Sequence, residues 1–146
     1  MYKIAVLDDD EHWCLAIKRF FRNTFEVFTF SHAISLLQEL EKEPKQYDLI
    51  MIDLSLPMQR YQDVDGRRLL RYIRETLPEP PLLVLVTAFI SKNELDSGQV
   101  ICDEADAFLA KDAGLDEISQ RLERLLNPEQ GSNGRNSIKS SQRARW

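Results

Sequence analysis

The chain alternates short, uninterrupted apolar runs with longer stretches whose apolar residues recur every three or four positions. Lys3-Ile4-Ala5-Val6-Leu7 is the first run, and it stops at Asp8-Asp9-Asp10. Residues 11–23 follow with Cys14, Ile17 and Phe21 on one helical face, supported by Leu15 and Phe20. Phe25 to Phe30, rich in aromatic and β-branched residues, reads as a second strand. Ser31 is placed to cap a second helix, in which Ile34, Leu37 and Leu40 recur at helical spacing before Pro44 ends it. Leu49-Ile50-Met51-Ile52 then runs straight into Asp53. An apolar run that short, bounded by a polar start and by Pro57, predicts a strand buried on both faces of a parallel sheet. After a polar loop from Met58 to Asp65, Gly66 precedes a third helix with Leu69, Leu70, Ile73 and Leu77 on its apolar face. Pro78, Pro80 and Pro81 stop it. Leu82 to Val86 is a fourth strand ending at Thr87. Residues 91–104 read as a fourth helix whose pattern Ser97-Gly98 interrupts, and Ala107 to Ala110 reads as a fifth strand ending at Lys111. Ile118, Leu122, Leu125 and Leu126 mark a last helix, closed by Asn127-Pro128. This alternation predicts a (βα)5 chain: a doubly wound, five-stranded parallel sheet with helices on both faces and right-handed crossovers.

Parallel strands all end at one edge, where open α/β sheets place their ligands. Strand one delivers Asp8, Asp9 and Asp10 to that edge, strand three Asp53, strand four Thr87 and strand five Lys111. Each has a plainer use. Asp10 can cap the first helix and favour its positive end, Asp53 can serve a turn, Thr87 is a good strand former and lysines are usually solvated. Their arrival together at successive strand ends points instead to phosphoryl transfer onto a carboxylate. Mg²⁺ prefers carboxylates, a carbonyl and waters, and it would neutralise acids that otherwise repel. Asp53 is the candidate nucleophile. Lys111 is placed to balance phosphoryl charge and the Thr87 hydroxyl to donate to a phosphoryl oxygen.

Composition narrows the partners. At 146 residues with ordinary apolar and charged fractions, the chain reads as one domain with a proper core. The net charge is −5, but residues 131–146 hold Arg135, Lys139, Arg143 and Arg145 and no acid, so the rest carries −9. An acidic body makes nucleic-acid binding unlikely and suits a divalent cation. Residues 128–146 read as a flexible basic tail or linker, too short for a DNA-binding or enzyme domain, and Trp146 at its end has no assigned role. No run has membrane-spanning length, and Met1 leads at once into a strand rather than a signal peptide, so the expected location is cytoplasmic. Cys14 and Cys102 are expected to be free thiols, and the isolated His12 and His32 do not read as metal ligands.

The set Val6-Leu7-Asp8-Asp9-Asp10, Ile52-Asp53-Leu54-Ser55-Leu56-Pro57, Val86-Thr87-Ala88 and Phe108-Leu109-Ala110-Lys111 resembles the receiver domain of two-component response regulators. The resemblance covers about residues 2–127, giving a domain over 1–127. It implies the flavodoxin-like strand order 2-1-3-4-5. It also implies roles. Asp53 is the phosphoacceptor, taking phosphate from a histidine kinase or a phosphotransfer protein. Asp9 is the main Mg²⁺ ligand, joined by Asp8, Asp53 and the main-chain carbonyl of Ser55. Thr87 and Lys111 stabilise the phosphoryl group, and Phe108 swings inward when Thr87 moves, although a plain core position for Phe108 is equally readable. The switched face is the helix over 91–104, strand five and the last helix. Such a chain is not an enzyme in its own right: it assists only its own phosphoryl transfer and dephosphorylation. Ser55 and Phe89 stand two residues past Asp53 and Thr87, flanking the route of water to a phosphoryl group, and are expected to set its lifetime.

The sequence departs from the pattern in places. Asp112 stands where the family usually has a proline, often after a cis bond; it alters the lysine's approach and could compete with Asp53 for the ammonium. Glu104 stands where glycine is common before strand five. The loop over 58–65 is longer than usual and is a candidate for partner choice. These departures leave a second reading, a receiver-like interaction module that works without phosphorylation. An aspartyl phosphohydrolase is a third, disfavoured because its general acid would stand at position 55, which is Ser. The kinase, the signal, the output protein and a homodimer formed on phosphorylation stay open at this level.

Overall fold

The structure is a computed structural model, and it describes residues 1–54, 66–88 and 104–128. In chain order the elements are β1 (Lys3–Leu7), α1 (Glu11–Phe21), β2 (Glu26–Phe30), α2 (Ala33–Lys42), β3 (Leu49–Asp53), α3 (Gly66–Thr76), β4 (Leu82–Thr87), β5 (Ala107–Ala110), a 3-10 turn over Lys111–Ala113 and α4 (Leu115–Leu126). The five strands form one parallel sheet in the order β2-β1-β3-β4-β5. The helix expected over 91–104, the loop over 58–65 and the tail from 129 onward lie outside the described residues.

Two cores flank the sheet, and strand periodicity sorts residues between them. Ala5, Leu7, Ile50, Ile52, Leu83, Leu85, Phe108 and Ala110 face Leu36 and Leu40 of α2 and Leu69, Leu70 and Ile73 of α3. Ile4, Val6, Leu49, Met51, Val84, Val86, Ala107 and Leu109 face Cys14, Ile17 and Phe21 of α1 and Ile118 and Leu122 of α4. β3 is the central strand and every residue in it is buried, which is why its sequence shows no polar alternation. Each large side chain there contributes about 1.5–3 kcal/mol on burial.

Three local expectations are corrected. Leu15 and Phe20 on α1, and Ile34 on α2, are exposed to solvent. The buried stripe of α2 is Leu36 and Leu40, so its inward face is turned relative to the expected one. The residue preceding α2 at its cap is His32 rather than Ser31, and it makes no side-chain capping bond. Asp10, by contrast, caps α1 as expected, its carboxylate accepting from the backbone N–H groups of His12 and Trp13.

Two packing details fix α3 against the sheet, one at each edge. The first is Gly66 at the start of α3. A Cβ on this residue would run into the carbonyl oxygen of Asp53 and come within 2.8 Å of the Leu54 Cα. Both are backbone atoms and cannot swing aside, so only glycine lets α3 begin this close to the end of β3. The second is a polar clamp at the other end of the sheet. Asp106, buried just before β5, accepts from the Leu83 N–H at 2.8 Å and from the Arg74 guanidinium at 2.9 Å. Arg74 also donates to the Glu104 carbonyl, and Glu104 pairs through its side chain with Arg71. The turn carrying Glu104 is thus tied to α3 by two arginines.

Two stability predictions follow from these details. Replacing Asp106 with Ala strands a buried amide donor and the Arg74 charge, and should lower the free energy of unfolding by about 2–4 kcal/mol in a urea titration. Gly66→Ala forces backbone displacement and should lower it by about 1–3 kcal/mol in the same measurement. A parent-like midpoint for either variant would contradict the corresponding contact.

Candidate functional site

Register builds the site. Leu7 pairs with Ile52 and Asp53 with Val86, while Thr87 pairs with Ala110. One step beyond Leu7 is Asp8, opposite Asp53; one step beyond Ala110, the partner of Thr87, is Lys111. The ladder continues past the strands, with the Asp8 N–H donating to the Phe30 carbonyl and the Leu54 N–H to the Val86 carbonyl. Asp8, Asp53 and Thr87 are buried, and Asp9 is exposed.

Carboxylate oxygens of Asp8, Asp9 and Asp53 lie within 4.8 Å of one another. The Lys111 ammonium meets Asp8 Oδ2 at 2.7 Å, and the backbone N–H of Asp10 donates to Asp8 Oδ1 at 2.9 Å. Burial raises the Asp8 carboxyl above the usual carboxylate range, and the Asp53 charge adds to the rise. The Lys111 and Asp10 hydrogen bonds act in the opposite direction. Three ionised carboxylates with one ammonium leave a formal charge of about −2, which a divalent cation would neutralise. The donor set is all hard oxygen, so it fits Mg²⁺ or a similar ion.

Lys111 opens the 3-10 turn after β5, and the peptide bonds of the described residues are trans. Its ammonium goes to Asp8, while Asp112 is exposed on the turn. Phe108 is buried in the core among the side chains packed against α3. Cys14 is a free, buried cysteine whose Sγ donates to the Asp8 carbonyl at 3.5 Å. Burial, reinforced by the Asp8 and Asp10 charges, pushes its thiol up to about 11, so it stays protonated at neutral pH. Ser55 and Phe89 lie outside the described residues.

One member of the site was not anticipated. Trp13, in the first turn of α1, places its ring 5.1 Å from the Lys111 ammonium. Its position three residues after Asp10 gave a hint, because the first turn of a helix that starts at the sheet edge must border whatever that edge holds.

A family model described as the response regulator receiver domain matches residues 4–123. No curated protein sequence matches significantly. Among solved structures, a response regulator receiver domain from Francisella is 25% identical with a TM-score of 0.67, over 88% of this chain and 99% of its own. The BeF3-activated receiver domain of DrrB, a Thermotoga maritima protein, is 25% identical with a TM-score of 0.65, over 85% of this chain and 96% of its own. A response regulator from Burkholderia pseudomallei, solved with a phosphorylated aspartic acid, a calcium ion and citrate, is 21% identical with a TM-score of 0.62, over 89% of this chain and 71% of its own. With the family model spanning most of the chain and the sheet order and acidic edge in agreement, this protein belongs to the response regulator receiver domain family.

Proposed function

We propose that this chain is the phosphoacceptor of a two-component or phosphorelay system, with Asp53 as the residue modified. The observation that carries the reading is Asp53 itself: a buried carboxylate at the end of the central strand, with two further acids within 4.8 Å and an ammonium on one of them. A purely structural role would not gather like charges at one point. The BeF3-activated state named for the DrrB domain supports extending that chemistry here.

In the proposed reaction an Asp53 carboxylate oxygen attacks the phosphorus of a phosphohistidine on a kinase or phosphotransfer protein. The new P–O bond forms as the P–N bond breaks, and the departing imidazole takes a proton from water. Asp8, Asp9, Asp53 and the main-chain carbonyl of Ser55 would hold Mg²⁺, which supplies charge neutralisation for the donor's phosphoryl oxygens. Lys111 balances the charge carried onto Asp53, and the Thr87 hydroxyl donates to it. Thr87 and Phe108 then repack the face made by residues 91–104, β5 and α4, which meets an output protein. Residues 1–127 act as the receiver unit, with 128–146 as a basic tail or linker. The loop over 58–65 contributes to kinase choice. No helix among the described residues is long and apolar enough to cross a membrane, and we place the protein in the cytoplasm, where kinase and phosphodonor reside.

Intact-protein mass after incubation with acetyl phosphate tests the assignment. One phosphoryl group should appear with Mg²⁺, vanish with EDTA and be absent from Asp53→Asn. If neither a phosphoryl adduct nor a beryllofluoride complex forms, the chain is a binding module that works without phosphate. For the lifetime of the modified state, Phe89→Ala should lose the phosphoryl group about 2- to 10-fold faster than the parent, by opening the water route. Equal decay rates would remove Phe89 from that role.

A further inference from the structure

We infer that Trp13 is a positioning residue for Lys111, an inference that rests on the phosphoacceptor reading above. The argument starts from what a lysine does when left alone. Its ammonium is strongly hydrated and its four-carbon stem is flexible, so an unrestrained Lys111 at an open sheet edge would spend its time in water. Here its side chain is only 15% exposed. Two groups hold the head: Asp8 Oδ2 at 2.7 Å and the Trp13 ring, whose centroid is 5.1 Å away. The ring distance is within the range for a cation–π contact, and indole gives the strongest such contact among side chains.

These contacts close a circuit. Asp10 donates its backbone N–H to Asp8 Oδ1, and the Asp10 carboxylate accepts from the backbone N–H of Trp13 at 3.2 Å. The Trp13 ring meets Lys111, and Lys111 returns to Asp8 through its other oxygen. Each member is fixed by the next, and the indole is also packed against the core formed by α1, α4 and the sheet. The circuit joins the start of α1 to the turn after β5, two segments about one hundred residues apart in sequence. With the ring on one contact and Asp8 on the other, the ammonium is held at the acid cluster. An ammonium already in place needs no reorganisation when negative charge arrives on Asp53, so the ring contributes to the rate without touching the phosphoryl group.

The test compares the full chain with Trp13→Leu and Trp13→Phe, using acetyl phosphate and Mg²⁺ and scoring the phosphorylation rate by intact mass. Leu keeps the apolar packing but has no π face; Phe keeps a weaker one. Trp13→Leu should be phosphorylated about 3- to 10-fold more slowly than the parent, with Trp13→Phe between them. Thermal melting by circular dichroism shows whether each variant is folded. If Trp13→Leu is not, the Phe variant and a spectroscopic measurement decide. For the latter, Trp146→Phe leaves Trp13 as the sole tryptophan. Its emission should change when Lys111→Met is added, and the shift produced by beryllofluoride with Mg²⁺ in the Lys111 protein should disappear in the Met variant. A Trp13→Leu rate equal to the parent's, or Trp13 emission indifferent to Lys111→Met, overturns the inference and leaves the phosphoacceptor reading intact. A parent that forms neither a phosphoryl adduct nor a beryllofluoride complex removes both.

Discussion

Three carboxylates with oxygens inside 4.8 Å repel one another, and a fold that gathers them must supply compensation from elsewhere in the chain. Much of this structure can be read as that compensation. Lys111 comes from the far end of the sheet to meet Asp8, and the Asp10 N–H takes the other Asp8 oxygen. The start of α1 lies beside the acids, so the positive end of its dipole adds to the balance. What remains is a negative formal charge that one divalent cation would balance. The same residual charge makes the site responsive, because any change in charge on Asp53 must be answered by movement of the groups that balance it.

The parallel register is what makes this concentration of charge possible. Every strand runs the same way, so each contributes its C-terminal residue to one edge, and the apolar stretches before them go to two separate cores. The cores hold the strands rigidly enough for unfavourable charge proximity to persist. Gly66 has a related part, since α3 starts against the backbone of Asp53 itself. The site is therefore supported from behind by helix packing as well as laterally by neighbouring strands.

Most of the architecture was legible because it rests on local patterns. Strands such as Leu49–Asp53 announce themselves through continuous apolar runs, and their ends place Asp8, Asp53, Thr87 and Lys111 without any three-dimensional information. Helix faces were less secure. Ile34, Leu15 and Phe20 fit a helical period and yet are exposed, because a three-to-four spacing admits neighbouring stripes and only packing selects between them. Ser31 and His32 differ by one position, within the normal uncertainty of a helix start. Contacts between distant segments were not legible at all. The Trp13–Lys111 and Arg74–Asp106 contacts depend on which helix lies over which strand, and no local pattern in either segment encodes that.

β5 shows how these long-range contacts serve the site. It has only four residues, two of them alanine, so its own side chains bury little surface compared with β3. A strand with so small an apolar contribution needs other restraints to hold its register at the sheet edge. At its start, Asp106 bonds both the Leu83 N–H of β4 and the Arg74 guanidinium of α3. At its end, Lys111 bonds Asp8 beyond β1 and lies over Trp13 of α1. The two polar anchors use helices from opposite faces of the sheet. A shift of β5 in either direction would strain one of them, so the position of the lysine is governed by contacts at both ends of a strand whose own packing is light.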